Sequence, residues 1–175
     1  SFGSFTSNTI GLISVQLDPA QRPLRQRINL RGSRVLGIEL VGTAHLRDDL
    51  ALDGQIAVMH MEALQTNPTD SDKLAEKPNA LGRLALSYGT GAGPNARFES
   101  VYTGVAYSPD DQNSFLRLDP SLVINARFGY TFHLTDTHTL EMFIRGDNLT
   151  DAVVLPQLGL PAQGRTISGG MDFTL

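Results

Sequence analysis

The sequence predicts an all-β chain, an antiparallel up-and-down β-barrel of about eight strands, on three observations. Hydrophobic residues recur at every second position, the period of a strand and not of a helix. The connections between these runs alternate between short and long. The chain also closes on an alternating run, with Ile167, Gly169, Met171, Phe173 and Leu175 on one face and Thr166, Ser168, Gly170, Asp172 and Thr174 on the other.

A poorly bounded strand is expected near residues 4 to 17. The run 34–46 follows, with Leu36, Ile38, Leu40, Gly42, Ala44 and Leu46 opposite Gly37, Glu39, Val41, Thr43 and His45. Leu50, Leu52, Gly54, Ile56 and Val58 repeat the pattern against Asp53, Gln55 and Ala57. Leu84, Leu86 and Tyr88 oppose Arg83, Ala85 and Ser87, and Ala96, Phe98, Ser100 and Tyr102 oppose Arg97, Glu99, Val101 and Thr103. The longest apolar set, Leu122, Ile124, Ala126, Phe128, Tyr130 and Phe132, stands against Ser121, Val123, Asn125, Arg127, Gly129 and Thr131. Leu140, Met142 and Ile144 oppose Glu141, Phe143 and Arg145, and the terminal run completes the set. Between them, Arg47-Asp48-Asp49, Gly89 to Asn95 and His133 to His138 are short, whereas 65–79, 108–115 and 149–163 are longer and mostly polar. Short and long connections thus fall on alternate ends, as in a meander whose two rims face different surroundings.

Composition narrows the classes. A chain of 175 residues has room for one domain, and residues 1–175 read as a single barrel segment. The net charge of -4 and the lack of a basic block argue against nucleic acid as a partner. With no cysteine, neither a disulfide framework nor a thiolate metal site can form. No apolar run approaches the roughly 18 residues of a membrane helix, a test that transmembrane strands escape. The chain starts at Ser1 and reads as a mature or excised segment.

Period two does not say which face is inside. In a soluble barrel the apolar side chains fill the interior or line a ligand cavity. In a membrane barrel they face lipid and the polar set lines the lumen. The apolar set here is long, punctuated by small residues and flanked by aromatics at Tyr88, Tyr107, Tyr130, Phe132 and Phe173, which resembles an aromatic belt and favours the transmembrane reading. On that reading Ile124→Arg costs roughly 2–4 kcal/mol, and Asn125→Arg, on the lumen face, much less.

Three segments resemble TonB-dependent outer-membrane receptors. The stretch from Asn29 through Gly32 and Ser33 to Gly37-Ile38-Glu39 is similar to a segment in which an Asn precedes a small-residue turn and a strand carrying Gly-x-Glu. Asp147-Asn148-Leu149-Thr150-Asp151 resembles the Asn-Leu-(Thr or Phe)-Asp signature near the end of that family. Pro161-Ala162-Gln163-Gly164-Arg165-Thr166 resembles the Pro-x-x-Gly-Arg stretch before its last strand. The resemblance spans roughly residues 5–175 and implies a cell outer membrane location, contact with its lipid, and uptake of a scarce ligand such as an iron chelate, a vitamin or a saccharide. Such barrels have about 22 strands around a plug, so about eight strands imply the C-terminal part of one. The plug domain and the TonB-contacting segment are not among these residues, so TonB and the plug are partners only of the complete receptor. The family ends on an aromatic residue. This chain ends on Leu175 with Phe173 two positions earlier, a departure that weakens the terminal-strand signal read by the barrel-assembly machinery. The competing readings are a small eight-stranded structural or adhesive outer-membrane barrel and a soluble ligand-binding barrel.

Candidate site residues are weighed as structural first. Asn148 and Asp151 suit a turn cap, with Leu149 between them. Gly37 allows a close approach on the lumen face, and Glu39 is placed to pair with Arg83 or Arg97. Gly164 and Arg165 belong at the outer end of the last strand. By resemblance, ligand contacts come from the loops at 65–79, 108–117 and 149–163. The histidines His45, His60, His133 and His138 lack metal-ligand spacing, and Asp110-Asp111-Gln112-Asn113 lacks the glycine and glutamate of a calcium loop. No nucleophile elbow, phosphate-cradling loop or His-Glu metal motif is present, so neither a catalytic group nor a cofactor is expected.

Overall fold

The computed structural model of the chain describes residues 2–7, 10–17, 23–29, 32–64, 71–89, 91–110, 114–135 and 137–174, with side chains from residue 32 onward. All regular structure in these residues is β. The strands are β1 (Phe2–Ser7), β2 (Ile10–Leu17), β3 (Pro23–Asn29), β4 (Ser33–Arg47), β5 (Leu50–Ala63), β6 (Ala80–Tyr88), β7 (Gly93–Thr103), β8 (Ala106–Pro109), β9 (Phe115–Leu118), β10 (Ser121–His133), β11 (Thr139–Asp147) and β12 (Thr166–Thr174). Eight of them form one antiparallel sheet in the order β1-β4-β5-β6-β7-β10-β11-β12. The pairs β2-β3 and β8-β9 are separate hairpins. Each hairpin lies in a connection between neighbouring strands of the main sheet, which therefore remains an up-and-down meander.

The alternation fixes the register. Leu40 pairs with Ile56, Ile56 with Gly82 and Gly82 with Tyr102, so one rung after another keeps apolar residues on one face. Phe128 pairs with Ile144, Ile144 with Gly169 and Tyr130 with Met142. A slip of one residue in any strand would transfer its whole apolar set to the other face. That apolar face is uncovered, with Leu36, Leu40, Ile144 and Met171 more than half exposed on it. Of the described hydrophobic residues only Ala85, Ala106, Leu118 and Ala126 are buried. This inverts the globular rule, because the sheet presents its greasy side outward, and of the four buried residues Ala85, between Asp53 and Glu99, is the one on its polar face.

Tight connections at Asp48-Asp49, 89–92 and 134–138 lie at one rim, and long connections lie at the other. Tyr88, Tyr130, Phe132 and Phe173 gather toward the tight-turn rim, where Tyr130 and Phe132 have ring centroids 4.6 Å apart. Tyr107 does not belong with them. It lies in β8, outside the main sheet, where Lys73 Nζ sits 5.3 Å from its ring centroid.

Other expectations are also corrected. The single strand near 4–17 is two strands, β1 and β2, in different sheets. The 108–117 loop holds most of the β8–β9 hairpin, whose four-residue strands are too short for their alternation to stand out. Among the described residues β1 and β12 do not pair, so the main sheet is open, with an unpaired edge at each side.

Candidate functional site

The polar face carries the chemistry. Cross-strand pairing aligns Arg97 with Arg127 and Arg127 with Arg145, a rung of arginines across β7, β10 and β11. Like charges directly opposite one another are unfavourable, so neighbours must compensate them. Arg127 Nη1 donates to Glu141 Oε1 at 2.5 Å, and its Nη2 lies 3.5 Å from Asp172 Oδ2. Arg145 Nε donates to Asp147 Oδ1 at 2.9 Å. Arg97 donates to Ser87 Oγ and lies 3.6 Å from Glu99 Oε2 and 3.9 Å from Asp53 Oδ2. Arg83 Nε donates to the same Glu99 carboxylate at 2.8 Å.

Glycines make room for this packing. Phe143 shares a rung with Gly129 and Gly170. A Cβ on Gly170 would sit 2.6 Å from the Phe143 ring, so only glycine lets that ring lie flat against β12. The Arg127 guanidinium then stacks over it, 4.2 Å from the ring centroid. At Gly129 a Cβ would collide with Glu141 and Asn95, both of which hold Arg127.

Glu39 accepts a hydrogen bond from Gln55 Nε2 at 2.8 Å, whereas Arg83 and Arg97 pair with Glu99. Glu39 thus meets Gln55 of the neighbouring strand, while the two arginines named for it go to Glu99. Gly37 pairs with Met59, and a Cβ there would meet Val58 O at 2.9 Å, so the close approach is that of β5. Asn29 ends β3, with its side chain outside the described residues, and Leu175 lies outside them entirely.

The Asn148–Asp151 segment forms a clasp. Asn148 is buried at 5 % exposure, with a left-handed φ of 50°. Its Nδ2 donates to Ala152 O at 2.9 Å and to Gln163 O at 3.4 Å, while its Oδ1 accepts from Ala152 N at 3.0 Å. One amide thus bridges both ends of the 148–165 loop. The loop is also tied to β10, since Asn148 N donates to Asn125 Oδ1, Leu149 N to Ile124 O and Thr150 Oγ1 to Leu122 O. Asp151 accepts from Arg165 N at 3.1 Å, and a Cβ on Gly164 would sit 3.4 Å from Asp151 Oδ1. Asn125 is therefore a buttress of the clasp, and Asn125→Arg would also remove its bond to Asn148 N.

The long connections are knitted together. Glu76 N donates to Tyr107 O, Asn79 N to Val105 O, and Leu158 N to the buried Ser108 Oγ at 3.3 Å. Among the described residues no three His, Cys, Asp or Glu side chains come together as a metal site. His138 is engaged by Thr135 and Thr137 in its own turn.

Sequence reasoning placed these arginines on the polar face but did not align them. Alignment needs the register across three strands, which the shared alternation limits to steps of two.

No protein-family model matches the chain. A solved structure described as "Copper transporter OprC" has the same fold over 96 % of this chain, with a TM-score of 0.68 and 18 % sequence identity. The match takes up 27 % of that structure's chain, so this chain spans about a quarter of its length.

Proposed function

We propose that this chain is the C-terminal part of the β-barrel of a TonB-dependent outer-membrane receptor that takes up a scarce ligand, and that it has no catalytic activity of its own. The observation that carries the reading is the uncovered apolar face, continuous across β4–β7 and β10–β12. Soluble monomers rarely expose contiguous apolar patches beyond a few hundred Å². Lipid covers such a face, while the ion-paired face is suited to a watery lumen. The open edges support membership of a larger barrel, because unpaired strand edges are not tolerated in lipid. A closed eight-stranded barrel would need β1 against β12, which stand at opposite edges. The three sequence segments and the fold shared with a transporter point the same way. The plug and TonB belong to the complete receptor, and the barrel-assembly machinery to its insertion.

The chain has no cysteine, which permits a direct topology test. Pro161→Cys in a long connection and Asp48→Cys in a tight turn are made in the full-length protein in cells, with any cysteine elsewhere in it first replaced by serine. An impermeant maleimide is expected to label the first on intact cells and the second only after permeabilisation. The reverse order, or labelling of both in a soluble fraction, refutes the proposal.

A further inference from the structure

We propose that the 148–165 loop is an interfacial anchor, which lies on the outer side of the barrel wall and sets apolar side chains into the headgroup boundary of the bilayer. This rests on the reading of the apolar face as lipid-facing. Both stems of the loop stand on that side of the sheet. Gly146 shares a rung with Ala126 and Ile167 on the apolar face, and a Cβ there would meet Leu149 Cδ2 at 2.6 Å, so Leu149 lies over that face. Arg165, which pairs with Asp151, falls two positions before Ile167 and by alternation on the same side.

The body of the loop covers the same side of the β8–β9 hairpin. The β7–β10 ladder pairs Thr103 with Ser121, and after two residues on each strand the β8–β9 ladder pairs Ala106 with Leu118. Equal spacing keeps the alternation in step, so Ala106, Ser108 and Leu118 continue the side that carries Tyr102 and Leu122. These three are buried, and Leu158 N donates to Ser108 Oγ. The loop is therefore turned away from the lumen, where the plug of a complete receptor stands. Its bonds to β10 and the hairpin also lead it away from the open edge of β12.

Height completes the placement. Leu122, whose carbonyl accepts from Thr150, stands five residues from Arg127, the middle of β10. At about 3.3 Å per residue and a tilt of about 45°, that is roughly 12 Å from the bilayer middle, near the edge of a hydrocarbon core about 30 Å thick. The loop thus leaves the wall at the boundary. Beyond this point Val153 is 74 % and Leu160 60 % exposed, and residues 152–164 hold no charged side chain. The patch is continuous with the apolar face through Leu149 and Ile167, so the lipid that covers one reaches the other. Aliphatic surface at that depth gains by leaving water, and the Asn148 clasp has already ordered the chain that presents it. The headgroup zone is polar and hydrated, so Pro161 within the loop still meets a water-soluble reagent from outside.

The test uses the full-length protein in phospholipid vesicles, with any cysteine outside this chain replaced by serine. Val153→Cys, Leu160→Cys, Ile144→Cys and Arg117→Cys each carry a nitrobenzoxadiazole probe, and the lipid carries a nitroxide either near the headgroup or near the end of the acyl chain. The probes at Val153 and Leu160 are expected to lose emission more to the shallow nitroxide than to the deep one. Ile144, paired with Phe128 one rung from the middle of β10, should show the reverse order. Arg117, which pairs with Tyr107 on the other side of the hairpin, should respond to neither. If lipid nitroxide leaves Val153 and Leu160 unquenched, the inference is overturned, whether their emission reports water or a covering protein. Equal quenching at Arg117 overturns it too, because the hairpin would then have no outer side. Quenching at Ile144 with none at Val153 and Leu160 defeats this inference alone. No quenching at Ile144 defeats the lipid-facing reading on which it rests.

Discussion

Leu40 and Val41 are neighbours in β4, both exposed, at 60 % and 72 %, and they stand on opposite faces of the sheet. In a soluble sheet the two would be equivalent surface aliphatics. In a bilayer they are not. β4 has 15 residues, and Leu40 is its middle one. At about 3.3 Å per residue the strand is roughly 46 Å long, and a tilt of about 45° brings its height to roughly 33 Å. Leu40 therefore lies near the bilayer midplane, where arginine on the lipid face costs about 2–4 kcal/mol. Val41→Arg places its charge on the polar face opposite Gln55, where a surface change is worth about 0.5 kcal/mol or less. The expected gap, about 1.5 kcal/mol or more, is at least a tenfold difference in the folding equilibrium. It is measured by reversible denaturant unfolding of each variant, made in the full-length protein, in phospholipid vesicles. Equal costs, or Val41→Arg the more damaging, would refute the facing of the sheet and with it the membrane reading.

Asn148→Ala should cost about 2–4 kcal/mol, since it removes buried hydrogen bonds and leaves a Cβ at φ 50° without the local bonding that favours Asn there. Asn148→Gly, which keeps the backbone at ease, should recover part of that loss. Limited proteolysis within 148–165 reads both, and equal protection in all three proteins would remove the clasp. In the tight turn, the hydrogen bonds from Arg47 Nε and Nη2 hold the Asp49 carboxyl below its ordinary value. A depressed folded-state pKa makes the contribution of this pair fully present above the ordinary aspartate range and lost as pH falls through the lower folded value. Carbon-detected NMR titration should show Asp49 ionised below that range, with Arg47→Gln restoring the usual titration. An unchanged midpoint would show that the pair does not set it.

The two-sided pattern was legible in the sequence because a strand turns each residue to the opposite face from its neighbour. The composition of β4 or β10 is therefore already a map of its two surroundings. Loop parity followed from chain order alone, and so did the placement of Arg97, Arg127 and Arg145 on the polar side. Register, edges and partners were not legible, because they depend on residues far apart in sequence. The four-residue strands β8 and β9 carry too little alternation to be seen, yet pairing with each other defines them. Glu39 was assigned an arginine, but strand order sets Gln55 nearer and gives Arg83 and Arg97 to Glu99. Asn125 looked like one more lumen residue until the fold brought Asn148 onto it. The sequence by itself thus determined that this is a two-faced antiparallel meander. Only the tertiary structure decided that the described sheet is open, that three arginines share a rung and that one buried amide clasps the last long loop. Alternation is a local property of the backbone, whereas edges, rungs and clasps exist only once distant strands have chosen their neighbours.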